Sequence, residues 1–253
     1  MFGICLLANI PLRADHSDRS EMVSQVLYGE TFTVLESFEN WVKIGLTDDD
    51  YSGWIDRKQM QSLSEQQLLD LKQEPQVYSY DLLEYITGPS DFLMPIPFGS
   101  SLSFLTNSEI NTQHWQFEGT RMSGTKDRTQ LIQCAFMYLH APYLWGGKTP
   151  MGIDCSGFTQ MVYKLSGYAL QRDASQQAQQ GIPLSFIEES EPGDLAFFDN
   201  EEGKIIHVGI ILANNYIIHA SGKVRIDRLD HLGIFNGEVN RHTHRLRVIK
   251  KIL

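Results

Sequence analysis

The run Gly152-Ile153-Asp154-Cys155-Ser156-Gly157-Phe158 places a cysteine where a helix should begin, among small and polar neighbours. Asp154 can cap, and Phe158, Met161, Val162 and Leu165 recur at helical spacing before the stop Ser166-Gly167. Cys155 therefore falls in or just before the first turn. A helix N-terminus presents unpaired N–H groups and partial positive charge, which favour thiolate over thiol and make the sulfur a nucleophile.

A nucleophilic cysteine needs a base. The segment Lys204-Ile205-Ile206-His207-Val208-Gly209-Ile210-Ile211-Leu212 is apolar and β-branched and reads as a buried strand, in which a histidine is costly without a partner or a task. After the turn Ala213-Asn214-Asn215, a second strand, Tyr216-Ile217-Ile218-His219-Ala220, carries another histidine. The two strands predict an antiparallel hairpin in which His207 faces the sulfur and His219 fixes the imidazole's tautomer and orientation.

Each residue alone has a plainer reading. A lone intracellular cysteine is more often an inert core residue, and a lone strand histidine a satisfied one. Zinc ligation by Cys155, His207 and His219 is disfavoured, because no C-x-x-C or H-x-x-x-H pairing and no fourth ligand accompany them. No metal or other cofactor is expected. The joint pattern is far more specific than its parts.

Asp154-Cys155-Ser156-Gly157-Phe158, the preceding Tyr143-Leu144-Trp145-Gly146-Gly147, the run Glu191-Pro192-Gly193-Asp194-Leu195-Ala196-Phe197-Phe198, His207-Val208-Gly209 and His219-Ala220 follow one another in order. Together they resemble the NlpC-type papain-fold peptidases of bacterial cell-wall metabolism, over residues 125–253. The resemblance implies an α+β, papain-like domain with a helix packed on an antiparallel sheet. It further implies Cys155 as nucleophile, His207 as general base, His219 as the polar third residue, and Tyr143 close to the sulfur and the oxyanion. The bond cleaved would be the amide between γ-D-glutamate and a diamino acid, meso-diaminopimelate or Lys, in murein peptides.

After the cysteine helix, Leu170-Gln171-Arg172-Asp173-Ala174-Ser175-Gln176-Gln177-Ala178 opens a short helix. Arg172 and Ser175 suit a carboxylate and Asp173 an ammonium, although Asp173 or Ser175 also suits a plain helix cap. By resemblance to members acting on short free peptides, Asp154, Ser156, Asp173 and Ser175 are candidate contacts for the substrate's free amine or its D-glutamate carboxylate.

The chain has 253 residues, enough for a papain-sized domain plus smaller modules. With 31 acidic and 21 basic side chains its net charge is −10, which argues against nucleic acid as a partner. Three cysteines, Cys5, Cys134 and Cys155, make an odd count that does not suit a disulfide framework and fits a reducing compartment. Met1–Ile10 is apolar but lacks a basic leader and a small-x-small cleavage site, and reads as a first strand. No segment approaches the roughly 20 apolar residues of a membrane span. The expectation is a cytoplasmic enzyme acting on imported murein fragments; a trimmed native N-terminus would instead allow a periplasmic or secreted one.

Residues 1–63 show short strand patterns at Met22–Leu27, Thr31–Glu36, Trp41–Ile44 and Gly53–Ile55, punctuated by Gly29-Glu30 and Asp48-Asp49-Asp50. The pieces Leu27-Tyr28-Gly29-Glu30, Asn40-Trp41-Val42-Lys43 and Gly53-Trp54-Ile55 resemble bacterial SH3-like barrels, with Trp41 and Trp54 read as packing residues. Residues 64–124 read as a helix-prone linker and a second, divergent SH3-like module, or as an irregular extension of the first. Thr125-Lys126-Asp127 caps a predicted helix over residues 128–139 with Leu131, Ile132, Ala135, Phe136 and Leu139 inward. The expected activity is hydrolysis of short murein peptides with a free N-terminal L-Ala. Digestion of intact peptidoglycan, acyl transfer by the same pair, and an inert wall-binding adaptor are the alternatives.

Overall fold

The computed structural model describes residues 1–107, 109–112 and 114–253, so Ser108 and Gln113 of the middle segment lie outside the description. The chain forms two compact units, Met1–Gly124 and Thr125–Leu253.

In the first unit a seven-stranded antiparallel sheet runs in the order Met22–Leu27, Asn9–Arg13, Ser52–Asp56, Trp41–Leu46, Thr31–Phe38, Phe2–Ile4, Gln61–Leu63. Period-two alternation sends Val42, Ile44 and Leu46 inward to meet Ile10, Leu12, Val26, Phe32 and Ile55, which is the core of a small SH3-like barrel. Trp54 is buried, with the His16 ring 5.2 Å from it, and so packs as expected. Beyond the barrel, Ser64 caps the helix Glu65–Gln73 through a reciprocal pair: its Oγ accepts from the Gln67 N–H, and its own N–H donates to Gln67 Oε1. Leu83–Thr87, Leu93–Pro97 and Gln116–Phe117 form a three-stranded sheet, and Val77–Ser79 pairs with Arg121–Ser123. Ile4, Tyr28 and Leu63 share one core with Leu71, Ile86, Ile96, Leu102, Phe104, Ile110 and Phe117. The segment after residue 63 thus packs on the barrel's own side chains.

The second unit opens with the helix Arg128–Met137, capped by Asp127, whose carboxylate accepts from the Gln130 N–H at 2.9 Å. Its inward face is Leu131, Cys134 and Ala135, continued by Tyr138. Phe136, expected inward, is 44 % exposed, because each residue turns the helix by about 100° and Ala135 already points at the core. Seven antiparallel strands follow in the order Ile182–Leu184, Arg241–Lys251, Leu195–Asp199, Ile205–Leu212, Tyr216–Ser221, Lys223–Asp230, Gly233–Asn236. Gly233–Asn236 also pairs with Arg241–Lys251, so six of the strands close into a ring.

The helix Cys155–Leu165 packs against the strands Ile205–Leu212 and Tyr216–Ser221, and all of it except Lys164 is buried. Phe158, Met161, Val162 and Leu165 supply the apolar stripe, each worth roughly 1.5–3 kcal/mol on burial. Its first turn also presses on backbone: a Cβ at Gly157 would lie 2.4 Å from the Gly147 carbonyl oxygen. Gly157 therefore permits the close docking that fixes where the cysteine helix starts.

Candidate active site

Asp154 ends an extended stretch and caps the cysteine helix, accepting from the Gly157 N–H at 2.6 Å. Cys155 is the first helical residue and is buried. The backbone N–H groups of Val208 and Ser156 favour the charged form of its sulfur, which puts the thiol near the residue that follows His207. The helix start does not produce a low thiol pKa, contrary to the reading from sequence. Burial first, then the negative charge of Asp154, push the Cys155 thiol up to about 12, against the opposing pull of the two N–H groups and Arg172.

The expected hairpin is present, with Gly209 opposite His219. Residues two apart on a strand share a face, so His207 and His219 are diagonal neighbours on one face of the sheet. His207 Nε2 lies 2.8 Å from His219 Nδ1. Both rings are buried, and burial leads in holding both below the ordinary histidine value; for His207 the neighbouring His219 and His244 add to it. His207 therefore rests as a neutral imidazole, with Nδ1 as its other ring nitrogen.

Tyr143 is half-buried and held by its backbone, donating its N–H to the Gly222 carbonyl at 3.0 Å and bridging Ile153. Burial, then the charges of Cys155 and Asp154, push its hydroxyl up to about 12, so it keeps its proton and can donate to an oxyanion.

The polar residues around the cysteine lock onto one another. Arg172 is 1 % exposed and donates to both carboxylate oxygens of Asp154, at 3.0 and 2.6 Å, and to Ser156 Oγ at 3.0 Å. Asp154 also accepts from the Gly146 N–H at 2.8 Å. Buried Gln177 ties the following short helix, Ala174–Gln177, to this turn by donating to the Ser156 and Gln171 carbonyls and accepting from Thr159 Oγ1. Arg172, expected to receive a substrate carboxylate, has its guanidinium buried and engaged by Asp154 and Ser156, a geometry that steadies the helix start. Asp173 is half-buried as the cap of the short helix, and Ser175 stands exposed on that helix.

Two residues of this site carry no signal in the sequence. Asp227, on Lys223–Asp230, lies 3.1 Å from His219 Nε2 through its Oδ2 and accepts two hydrogen bonds from Arg225. His244, on Arg241–Lys251, stacks on His207 with ring centroids 4.2 Å apart and planes 27° apart. Both residues follow from strand pairing, and neither sits in a recognisable local motif.

A family model described as the NlpC/P60 family matches residues 140–240, and one described as a bacterial dipeptidyl-peptidase SH3 domain matches residues 12–60. The chain is 29 % identical over 258 residues to a protein named dipeptidyl-peptidase 6 from Lysinibacillus sphaericus, covering 90 % of each. It is 30 % identical over 226 residues to one named gamma-D-glutamyl-L-lysine dipeptidyl-peptidase from Bacillus subtilis, covering 78 % of this chain and 71 % of that protein. Among solved structures, an NlpC/P60 family protein from Bacillus cereus superposes with a TM-score of 0.83 at 20 % identity over the whole of both chains, a likeness of fold.

Proposed function

The chain belongs to the NlpC/P60 family and is a cysteine peptidase with a peptide substrate, and from that premise we propose that it hydrolyses the γ-D-glutamyl to L-diamino acid amide of short murein peptides. The observation that carries this reading is Cys155 at the start of the buried helix that packs on the strand bearing His207, whose Nε2 lies 2.8 Å from His219 Nδ1. The substrate class follows the name of the Bacillus subtilis relative.

In this mechanism the Cys155 sulfur attacks the amide carbon while its proton passes to Nδ1 of His207. The Cys155 backbone N–H at the helix start and the Tyr143 hydroxyl receive the oxyanion. His207 then gives the proton to the leaving nitrogen, the C–N bond breaks, and a thioester remains on Cys155. Water attacks the thioester as His207 takes its proton; the C–S bond breaks and the proton returns to the sulfur. Asp154 and Ser156 flank the nucleophile and, with Asp173 and Ser175, are the proposed contacts for the substrate's free amine and D-glutamate carboxylate. Arg172 positions Asp154. The same reading makes the enzyme one of peptide recycling in the cytoplasm, acting on fragments with a free L-Ala.

The test is mass spectrometry of products from L-Ala-γ-D-Glu-L-Lys and its meso-diaminopimelate counterpart, each with free and acetylated N-termini. Release of L-Ala-γ-D-Glu from the free peptides is expected, with loss of about 10³-fold or more in Cys155→Ala and His207→Ala. Wild-type turnover in either variant overturns the catalytic assignment. Equal cleavage of acetylated peptides or of cross-linked murein overturns the preference for free, short peptides.

A further inference from the structure

The hydrogen-bond chain from His207 does not end at His219. His219 Nε2 faces Asp227 Oδ2 at 3.1 Å; that oxygen also accepts from Arg225 Nε at 2.7 Å, and Oδ1 accepts from Arg225 Nη2 at 3.0 Å. Arg225 Nη1 donates in turn to Glu238 Oε2 at 2.9 Å. His219 and Asp227 are 1 % and 6 % exposed, and Ile217 stands opposite Asp227 in the register, which sets His219 and Asp227 diagonally on the same sheet face.

We propose that Asp227 is a positioning residue that sets the tautomer of the catalytic base His207 through His219. An ionised carboxylate only accepts hydrogen bonds. Asp227 is ionised: burial raises its carboxyl, but the hydrogen bonds from His219 and Arg225 outweigh that and hold it below the ordinary aspartate range. His219 must therefore carry its proton on Nε2, and in the neutral ring that leaves Nδ1 as an acceptor. That acceptor requires a donor 2.8 Å away, which is the Nε2–H of His207. His207 Nδ1 is then left unprotonated, which is the state a general base needs. Without the carboxylate, the two imidazoles can pair equally well with both protons reversed, and His207 Nδ1 then carries a proton and cannot act as a base. The inference rests on the reading of Cys155 and His207 as the catalytic pair.

His244 stacks on His207 from the strand Arg241–Lys251, the Phe198 ring lies 5.8 Å from His207, and Arg225 and Glu238 complete the outer end. His244 is itself kept uncharged, with burial pushing it down to about 4. Asp227 is the carboxylate that hydrogen-bonds to His219.

The experiment uses the full chain labelled with ¹⁵N-histidine, with long-range ¹H–¹⁵N correlations and steady-state kinetics on L-Ala-γ-D-Glu-L-Lys. In the wild type, His207 and His219 should both show Nε2 protonated and Nδ1 unprotonated. In Asp227→Asn the His207 Nδ1 resonance should move toward the protonated position, and kcat should fall on the order of 10²-fold with KM within about threefold. Wild-type His207 protonated at Nδ1 overturns the proposal even if no variant folds. A kcat within twofold of wild type in folded Asp227→Asn also overturns it, as does a loss of activity with the histidine resonances unmoved, which marks a structural role only. Cys155→Ala and His207→Ala, run alongside, separate this from a failure of the catalytic assignment: if either stays active, that assignment fails whatever Asp227 does.

Discussion

Asp154 and Arg172 meet as a buried fork, two hydrogen bonds of 2.6 and 3.0 Å beneath the first turn of the helix that Cys155 begins. The carboxylate thus serves as helix cap, as acceptor for the Gly146 N–H and as counter-ion at once.

Arg172→Ala leaves that carboxylate buried without its cation. Removing one partner of a buried pair costs about 3–5 kcal/mol. Urea unfolding should show a loss of that size, together with lower kcat because the turn that places Cys155 loosens. Arg172→Lys keeps the charge but cannot present the fork, and should fall between the two. A loss below about 1 kcal/mol in Arg172→Ala would contradict the pairing.

This pair also shows what a sequence can and cannot reveal. Asp154 before Cys155, and the apolar spacing to Leu165, make the helix start legible, and β-branched runs around His207 and His219 make the hairpin legible. That Arg172 turns inward to Asp154, eighteen positions earlier, is a contact no local pattern encodes. Near an active site it reads as a ligand-binding side chain. Asp227 sits in Lys223-Val224-Arg225-Ile226-Asp227-Arg228, whose charges look like the wet face of a strand, and only the register with Ile217 brings it to His219. His244 is hidden likewise, because its stacking on His207 requires the closing strand of the ring.

The resting state of the nucleophile is a second prediction. With the Cys155 thiol up near 12 and His207 held well below its ordinary value, the pair rests as thiol and neutral imidazole between about pH 6 and 9. The thiolate fraction then grows about tenfold per pH unit. Iodoacetamide labelling of the Cys155 peptide, followed by mass spectrometry, should accelerate steadily from pH 7 to 10. A plateau reached below pH 7 would show a preformed thiolate and refute this.

Gly209 lies opposite His219, and a Cβ there would come within 2.8 Å of both the His219 Cβ and Ile217 Cδ1. Gly209→Ala should push His219 off its contact with His207. Displacements of about 1 Å at a catalytic constellation can cost on the order of 10²-fold. The expected result is a kcat lowered by about 10- to 100-fold with KM little changed, and full activity in this variant would show that His219 tolerates movement.

Acid should destabilise the second unit before it protonates ordinary carboxylates. His207, His219 and His244 are all held below 6.5 in the fold, chiefly by burial, and His244 down to about 4. The unfolded chain takes up protons at 6.5 that the fold refuses, so stability is complete above that pH and is lost as pH falls from 6.5 toward 4. Each of the two fully buried rings, His207 and His219, contributes a slope of up to about 1.4 kcal/mol per pH unit in that window. Asp227 is likewise held below its ordinary value, and its contribution is retained until pH drops below the ordinary aspartate value of 3.8. Calorimetry at pH 7.5, 6, 5 and 4 should show Tm falling from below pH 6.5. His244→Phe keeps a ring against His207 and removes one refused proton, so its Tm should fall less steeply over the same interval. Equal slopes in wild type and variant would show that His244 accepts its proton in the folded state.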